Sequence, residues 1–213
     1  MADYHTEEQQ VEELKKWWKE NGKSVIAGVV LGVGGLLAWK GWSYYQENHA
    51  KAASELYAQV QQATAQSEVK SVTQNTDRLR DDYASTPYAS LAALDLAKIE
   101  SEAGRLEGAA DRLRWVLENC AQESLCNIAK IRLARVQIAR KQYDQTLELL
   151  SGEIPPAYSS LVEEIRGDAL RAKGNIERAR QAYTRALMGA RGNAEYLKMK
   201  RDDLGEVTDT DKS

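Results

Sequence analysis

Between Ser24 and Trp39 the chain carries no charged side chain, and Lys23 and Lys40 close this run on either side. Eight of its sixteen residues are Leu, Ile or Val and four are Gly. The run is apolar on every side, the pattern of a helix immersed in lipid. Sixteen helical residues reach about 24 Å, short of a ~30 Å hydrocarbon core. The span lengthens when Lys40 snorkels and the helix continues from Gly41 to Tyr45. Trp39, Trp42, Tyr44 and Tyr45 mark one interface, and Trp17 and Trp18 the other. The pattern predicts a transmembrane anchor over 24–45, preceded by a charged tail over 1–23. A core helix would be amphipathic or flanked by other core elements. A cleaved signal peptide needs a small-x-small site just after the apolar run, whereas Ala50-Lys51-Ala52 begins eleven residues beyond Trp39. Lys15, Lys16, Lys19 and Lys23 precede the run, while only Lys40 and Lys51 follow closely, so the tail is expected in the cytoplasm and the rest in the periplasm.

After Tyr45 the period becomes that of amphipathic helices. Ala53, Leu56, Tyr57 and Val60 recur at i, i+3, i+4 and i+7, so the anchor is expected to run on to about residue 66. A second segment near 69–84 carries Val72, Leu79 and Tyr83. Beyond residue 88 three stretches resemble one another. Their aligned turns are Gly104-Arg105-Leu106-Glu107, Lys141-Gln142-Tyr143-Asp144 and Gly174-Asn175-Ile176-Glu177, starting 37 and 33 residues apart. That spacing is close to the 34 of a tetratricopeptide repeat. Small residues stand where paired helices must cross: Ala97 with Ala109, Ala134 with Thr146, and Gly167 with Ala179, the last followed by Tyr183 and Ala186 at core spacing. A final helix is expected near 193–205, then a frayed end over 208–213. The fold class is all-α: an N-terminal transmembrane helix followed by a tetratricopeptide-like superhelix of helical hairpins over 46–207.

Composition narrows the chemistry. Residues 46–213 carry 24 basic and 26 acidic side chains, which provides no electrostatic footing for nucleic acid. The two histidines, His5 and His49, fall on opposite sides of the predicted membrane span and cannot share a site. No phosphate-cradling glycine loop and no Ser/His/Asp arrangement is present. We therefore expect no catalytic, cofactor-binding or metal-binding residue, no small-molecule substrate and no enzyme activity. Cys120 and Cys126 straddle a predicted turn, where an oxidising compartment would favour a structural disulfide; two unpaired buried thiols are the alternative.

Binding is what remains. Gly28 and Gly32 form a small-x-x-x-small pair, extended by Ser24 and Gly35, that would let another membrane helix approach closely, although glycine is also common in membrane helices. Repeat superhelices present the first helix of each hairpin on the concave side. Lys98, Arg135, Asp168 and Arg171 map there as candidate groove residues, against the plainer reading of ordinary surface charges.

The ordered combination of the tail and anchor "KWWKENGKSVIAGVVLGVGGLLAWKGW" with "YASLAALDLAKIE", "IRLARVQIARKQYDQTLELL" and "EEIRGDALRAKGNIERARQAY" resembles the YfgM family over nearly the whole chain. The opening Trp and closing Pro of the repeat are missing, so the repeats are degenerate. The resemblance implies an inner-membrane ancillary subunit of the SecYEG translocon with a periplasmic tetratricopeptide-like domain. It implies partnership with SecYEG and with the periplasmic chaperone PpiD, and a role in passing exported polypeptides to folding factors. A scaffold of another envelope assembly, for division or for a pilus or secretion complex, is the alternative.

Overall fold

The computed structural model of the chain describes residues 7–190 and 192–205. Its regular structure is helical: α1 (Glu7–Ala65), α2 (Val69–Asp82), α3 (Pro87–Glu102), α4 (Leu106–Asn119), α5 (Glu123–Ala139), α6 (Tyr143–Leu149), α7 (Ser159–Ala172), α8 (Ile176–Met188) and α9 (Ala194–Asp202). The chain divides into two units, residues 1–51 and 52–213, with the boundary inside α1. His5 and the segment 208–213 lie outside the described residues.

In the first unit the polar N-terminal residues are helical from Glu7 onward and join the apolar run without a break. An unbroken helix over 24–45 reaches about 33 Å, enough to cross a hydrocarbon core.

In the second unit, helical hairpins stack in chain order. Core clusters join the end of α1 to α2 and α3 through Leu56, Val60, Val72, Leu79 and Leu96, and join α3, α4 and α5 through Ala97, Leu113 and Leu133. A further cluster links α5 to α7 through Ala134, Leu150 and Ile165. One turn chemistry recurs at every hairpin. Ser67, Gly104, Lys141 and Gly174 take φ values of 59°, 74°, 61° and 78°. The next amide in each case, from Glu68, Arg105, Gln142 and Asn175, donates to the carbonyl five residues back, on Ala63, Glu100, Gln137 and Leu170, at 2.8–2.9 Å. This is the Schellman closure, which satisfies carbonyls left open at a helix end. Ser67 precedes Gly104 by 37 residues, so the end of α1 and α2 form a fourth hairpin of the same series. Sequence comparison passes over it because Val60 and Val72 stand where the other hairpins cross on smaller residues.

Lys141 occupies a left-handed position that glycine fills in the hairpins before and after it. A β-carbon there costs about 1–2 kcal/mol, partly offset because glycine loosens the unfolded chain. Lys141→Gly should therefore stabilise the protein by about 0.5–1 kcal/mol, read as a higher urea midpoint at unchanged slope.

Side-chain volumes compensate across each crossing. Seven residues before the turn stand Val60, Ala97, Ala134 and Gly167, and nine after it Thr76, Leu113, Leu150 and Tyr183. All eight are buried, and the larger the second residue, the smaller the first. The Gly167 hairpin takes this furthest, because a β-carbon there would lie 2.5 Å from Cε1 of Tyr183.

The second sequence repeat is shorter than its pattern suggests. Helix α6 has 7 residues, against 14 in α4 and 13 in α8. The chain then passes through Gly152, Pro155 and Pro156, and the two prolines have no amide hydrogen to extend a helix. Arg166 on α7 donates from Nη2 to the Leu150 carbonyl at 2.6 Å, satisfying the truncated end. Between α4 and α5, Cys120 and Cys126 are joined by a disulfide with Cα atoms 5.7 Å apart. Closing so short a loop contributes about 2 kcal/mol by the chain-entropy argument.

Candidate functional site

The first helices of successive hairpins, α3, α5 and α7, lie side by side, with α5 touching both of the others. The residue following each crossing position is Lys98, Arg135 and Asp168 in turn, so the repeat brings these three to equivalent places on one face. Lys98 and Arg135 line a single cleft of about 320 Å³, together with Arg132 and an apolar floor that includes Ala97, Leu113 and Val136. Arg132 is anchored by donating from Nη1 to the Leu94 carbonyl at 3.0 Å. Lys98 reaches Glu102 only at 3.9 Å, with both side chains about two-thirds exposed, an ion pair worth little in water. Arg135 is exposed and has no hydrogen-bond or ion-pair partner among the described residues.

Asp168 is placed differently. It accepts a hydrogen bond from the Tyr183 hydroxyl at 2.7 Å, and Lys200 Nζ on α9 donates to both its oxygens at 2.9 and 2.8 Å. Lys200 also donates to Glu164 at 2.7 Å and sits 4.8 Å from the centroid of the Tyr196 ring. Helix α9 thus caps α7 and engages its acids. Arg171 is exposed and does not line the cleft. The structure gathers two of the four candidate groove residues, Lys98 and Arg135, and ties Asp168 into an internal network. Arg132 escaped sequence reasoning, although its i, i+3 spacing from Arg135 places both on one helix face. Lys200 and Glu164, 36 residues apart, carry no local signal of their pairing.

The network perturbs its ionisable groups. Burial, then the hydrogen bond and negative charge of Asp168, push the Tyr183 hydroxyl far above its ordinary value. Tyr57 donates to Asp95 at 2.9 Å, and burial together with that carboxylate pushes it up to about 12. Burial opposes the charge on Lys200, but the hydrogen bonds and charges of Asp168 and Glu164 outweigh it and raise its pKa. Each group binds its proton more tightly in the folded chain than in the unfolded one. Their contribution to stability is therefore complete below about pH 10 and is lost as pH climbs from 10 towards 12. Urea midpoints should hold level from pH 8 to 9.5 and fall beyond pH 10, with a shallower fall in Tyr57→Phe.

On α1 the apolar run is open: Leu31 is 76% exposed and Trp39 71%. A β-carbon added at Gly28, Gly32 or Gly35 would meet nothing within 4 Å, and Ser24 is exposed as well. His49 stacks on Tyr45 with ring centroids 5.6 Å apart. Among the described residues, no group of three or more His, Cys, Asp or Glu could hold a metal ion.

An array of Schellman-closed hairpins with a cationic cleft, on a chain with one helix among the described residues long and apolar enough to cross a membrane, defines a tetratricopeptide-like repeat protein with a candidate anchor. The model of the tetratricopeptide repeat-like domain family matches residues 15–206. The chain belongs to the family of ancillary SecYEG translocon subunits. It is 35% identical to the protein of that name from Escherichia coli (strain K12), over 86% of this chain and 88% of that one. With the protein of the same name from Haemophilus influenzae it shares 31% identity over 96% of this chain and 100% of that one. The solved structure of the MamA RS-1 ArsTM double mutant has the same fold, with a TM-score of 0.53 at 15% identity over 71% of this chain and 86% of that one.

Proposed function

We propose that this chain is a single-pass inner-membrane accessory of the SecYEG translocon. Residues 1–23 lie in the cytoplasm, 24–45 cross the bilayer, and 46–207 form a periplasmic domain that docks segments of a PpiD-like chaperone or of exported polypeptides. The helices array binding residues and the chain performs no catalysis. Membership of the ancillary-subunit family over most of the length, in a chain whose first described helix carries an apolar stretch left almost wholly exposed, is the observation that carries this reading. The lysine excess before the apolar run supports the orientation. The open face at Gly28, Gly32 and Gly35 suits contact with another membrane helix.

A photoreactive residue placed at Arg135 in living cells tests the proposal. Adducts with SecYEG subunits or a PpiD-like chaperone are the expected result. Adducts confined to division or pilus proteins would overturn it, as would release of the intact chain by an alkaline carbonate wash.

A further inference from the structure

The groove is not electrically uniform. Of the equivalent positions along its first helices, Lys98 and Arg135 face the cleft on α3 and α5, and Arg132 adds a third cation there. The corresponding acid on α7, Asp168, together with Glu164, is engaged by Lys200 from the chain's own terminal helix. Asp95 on α3 is likewise engaged, by the Tyr57 hydroxyl. Among the cleft-lining residues the sole acid is Glu102, which is two-thirds exposed and only loosely paired with Lys98. The chain thus engages Asp95, Glu164 and Asp168 with its own side chains, while Lys98 and Arg135 stay open at the cleft. Arg135, exposed at the rim, has no partner among the described residues.

Resting on the docking role proposed above, we propose that the cleft between α3 and α5 selects extended polypeptide segments in which acidic side chains alternate closely with apolar ones. The apolar floor at Ala97, Leu113 and Val136 takes a hydrophobic side chain. Arg135 and Lys98 at the rim take neighbouring carboxylates, and arginine offers a fork that pairs with both oxygens. An extended segment suits this arrangement because its successive side chains point to opposite sides, so spaced acids reach the rim while apolar residues face the floor. Lys200 makes the selection one-sided. With Glu164 and Asp168 already bound, a basic segment finds no free acid on α7 and is repelled by the cleft.

The test uses the full chain in uncharged detergent micelles and three fluorescein-labelled 12-residue peptides read by anisotropy. One repeats Leu-Asp, and the other two carry Asn or Lys in place of Asp. The Asp peptide should bind at least 10-fold more tightly than the Asn peptide, with the Lys peptide weakest. Rising salt should weaken the Asp peptide most, because exposed charge pairs are screened. Arg135→Glu, an exposed and unpartnered site, should leave the melting temperature unchanged and reverse the order of the Asp and Lys peptides. Lys98→Glu should shift the order in the same direction. Equal binding of the Asp and Asn peptides, binding of none, or an order unaffected in both variants would each overturn the inference. If adducts at Arg135 still include SecYEG or a chaperone in that event, the docking role stands and only the charge selection falls.

Discussion

Gly167→Val is expected to lower the melting temperature of the helical domain by roughly 6–12 °C, the equivalent of about 3 kcal/mol in a domain of this size. The cause is local. The first carbon of any side chain at Gly167 would come within 2.5–2.6 Å of two carbons of the Tyr183 ring. The ring is fully buried and its hydroxyl is held by Asp168, so it has no free direction in which to retreat. Gly167→Ala is the milder case, at about 1–2 kcal/mol, because alanine recovers about 1 kcal/mol of helix propensity over glycine. The volume pairing across the hairpins supplies the control. In a Tyr183→Leu background the α7–α8 hairpin resembles the Ala97–Leu113 and Ala134–Leu150 hairpins, and Gly167→Ala should there be neutral or stabilising. A double-mutant cycle followed by circular dichroism measures this coupling. Additive losses would show that the crossing is not where the strain arises.

Lys200→Met should cost about 2–4 kcal/mol. Removing the ammonium leaves the Glu164 carboxylate, whose side chain is 9% exposed, and the Asp168 carboxylate, 30% exposed, facing each other without a cation. Breaking a buried pair from one side costs about 3–5 kcal/mol, and the water that reaches Asp168 sets the expectation lower. Adding Glu164→Gln to Lys200→Met should recover part of the loss, which separates the electrostatic contribution from lost packing of the lysine stem. Lys200→Arg should retain most of the stability. A Lys200→Met protein that melts as the wild type does would show that packing around Leu197, and not the ion pairs, holds α9.

Much of this architecture was legible in the residues. The three-repeat series, the final helix and the crossing residues Ala97, Ala134 and Gly167 follow from helical period and spacing, because packing at a crossing demands small side chains at fixed intervals. The hairpin built on Val60 and Val72 was harder to read, since its bulk is balanced by Thr76, a trade visible only once the partner is known. The truncation of α6 was signalled by Pro155 and Pro156, yet the strong apolar period before them favoured a longer helix. Of the groove residues, Lys98 and Arg135 occupy one cleft because the repeat places them there. Asp168 has the same register, but a lysine arriving from α9 decides its fate, and periodicity carries no information about contacts 32 residues apart.

Because each hairpin rests mainly on its immediate neighbours, damage in this array has a short reach. Losing the terminal helix would loosen α7 and α8 first, while the disulfide-tied junction of α4 and α5 keeps the α3–α5 cleft assembled. Amide exchange should accordingly show protection graded along the chain rather than a single all-or-none opening, so α9 can fray while the α3–α5 cleft keeps its shape.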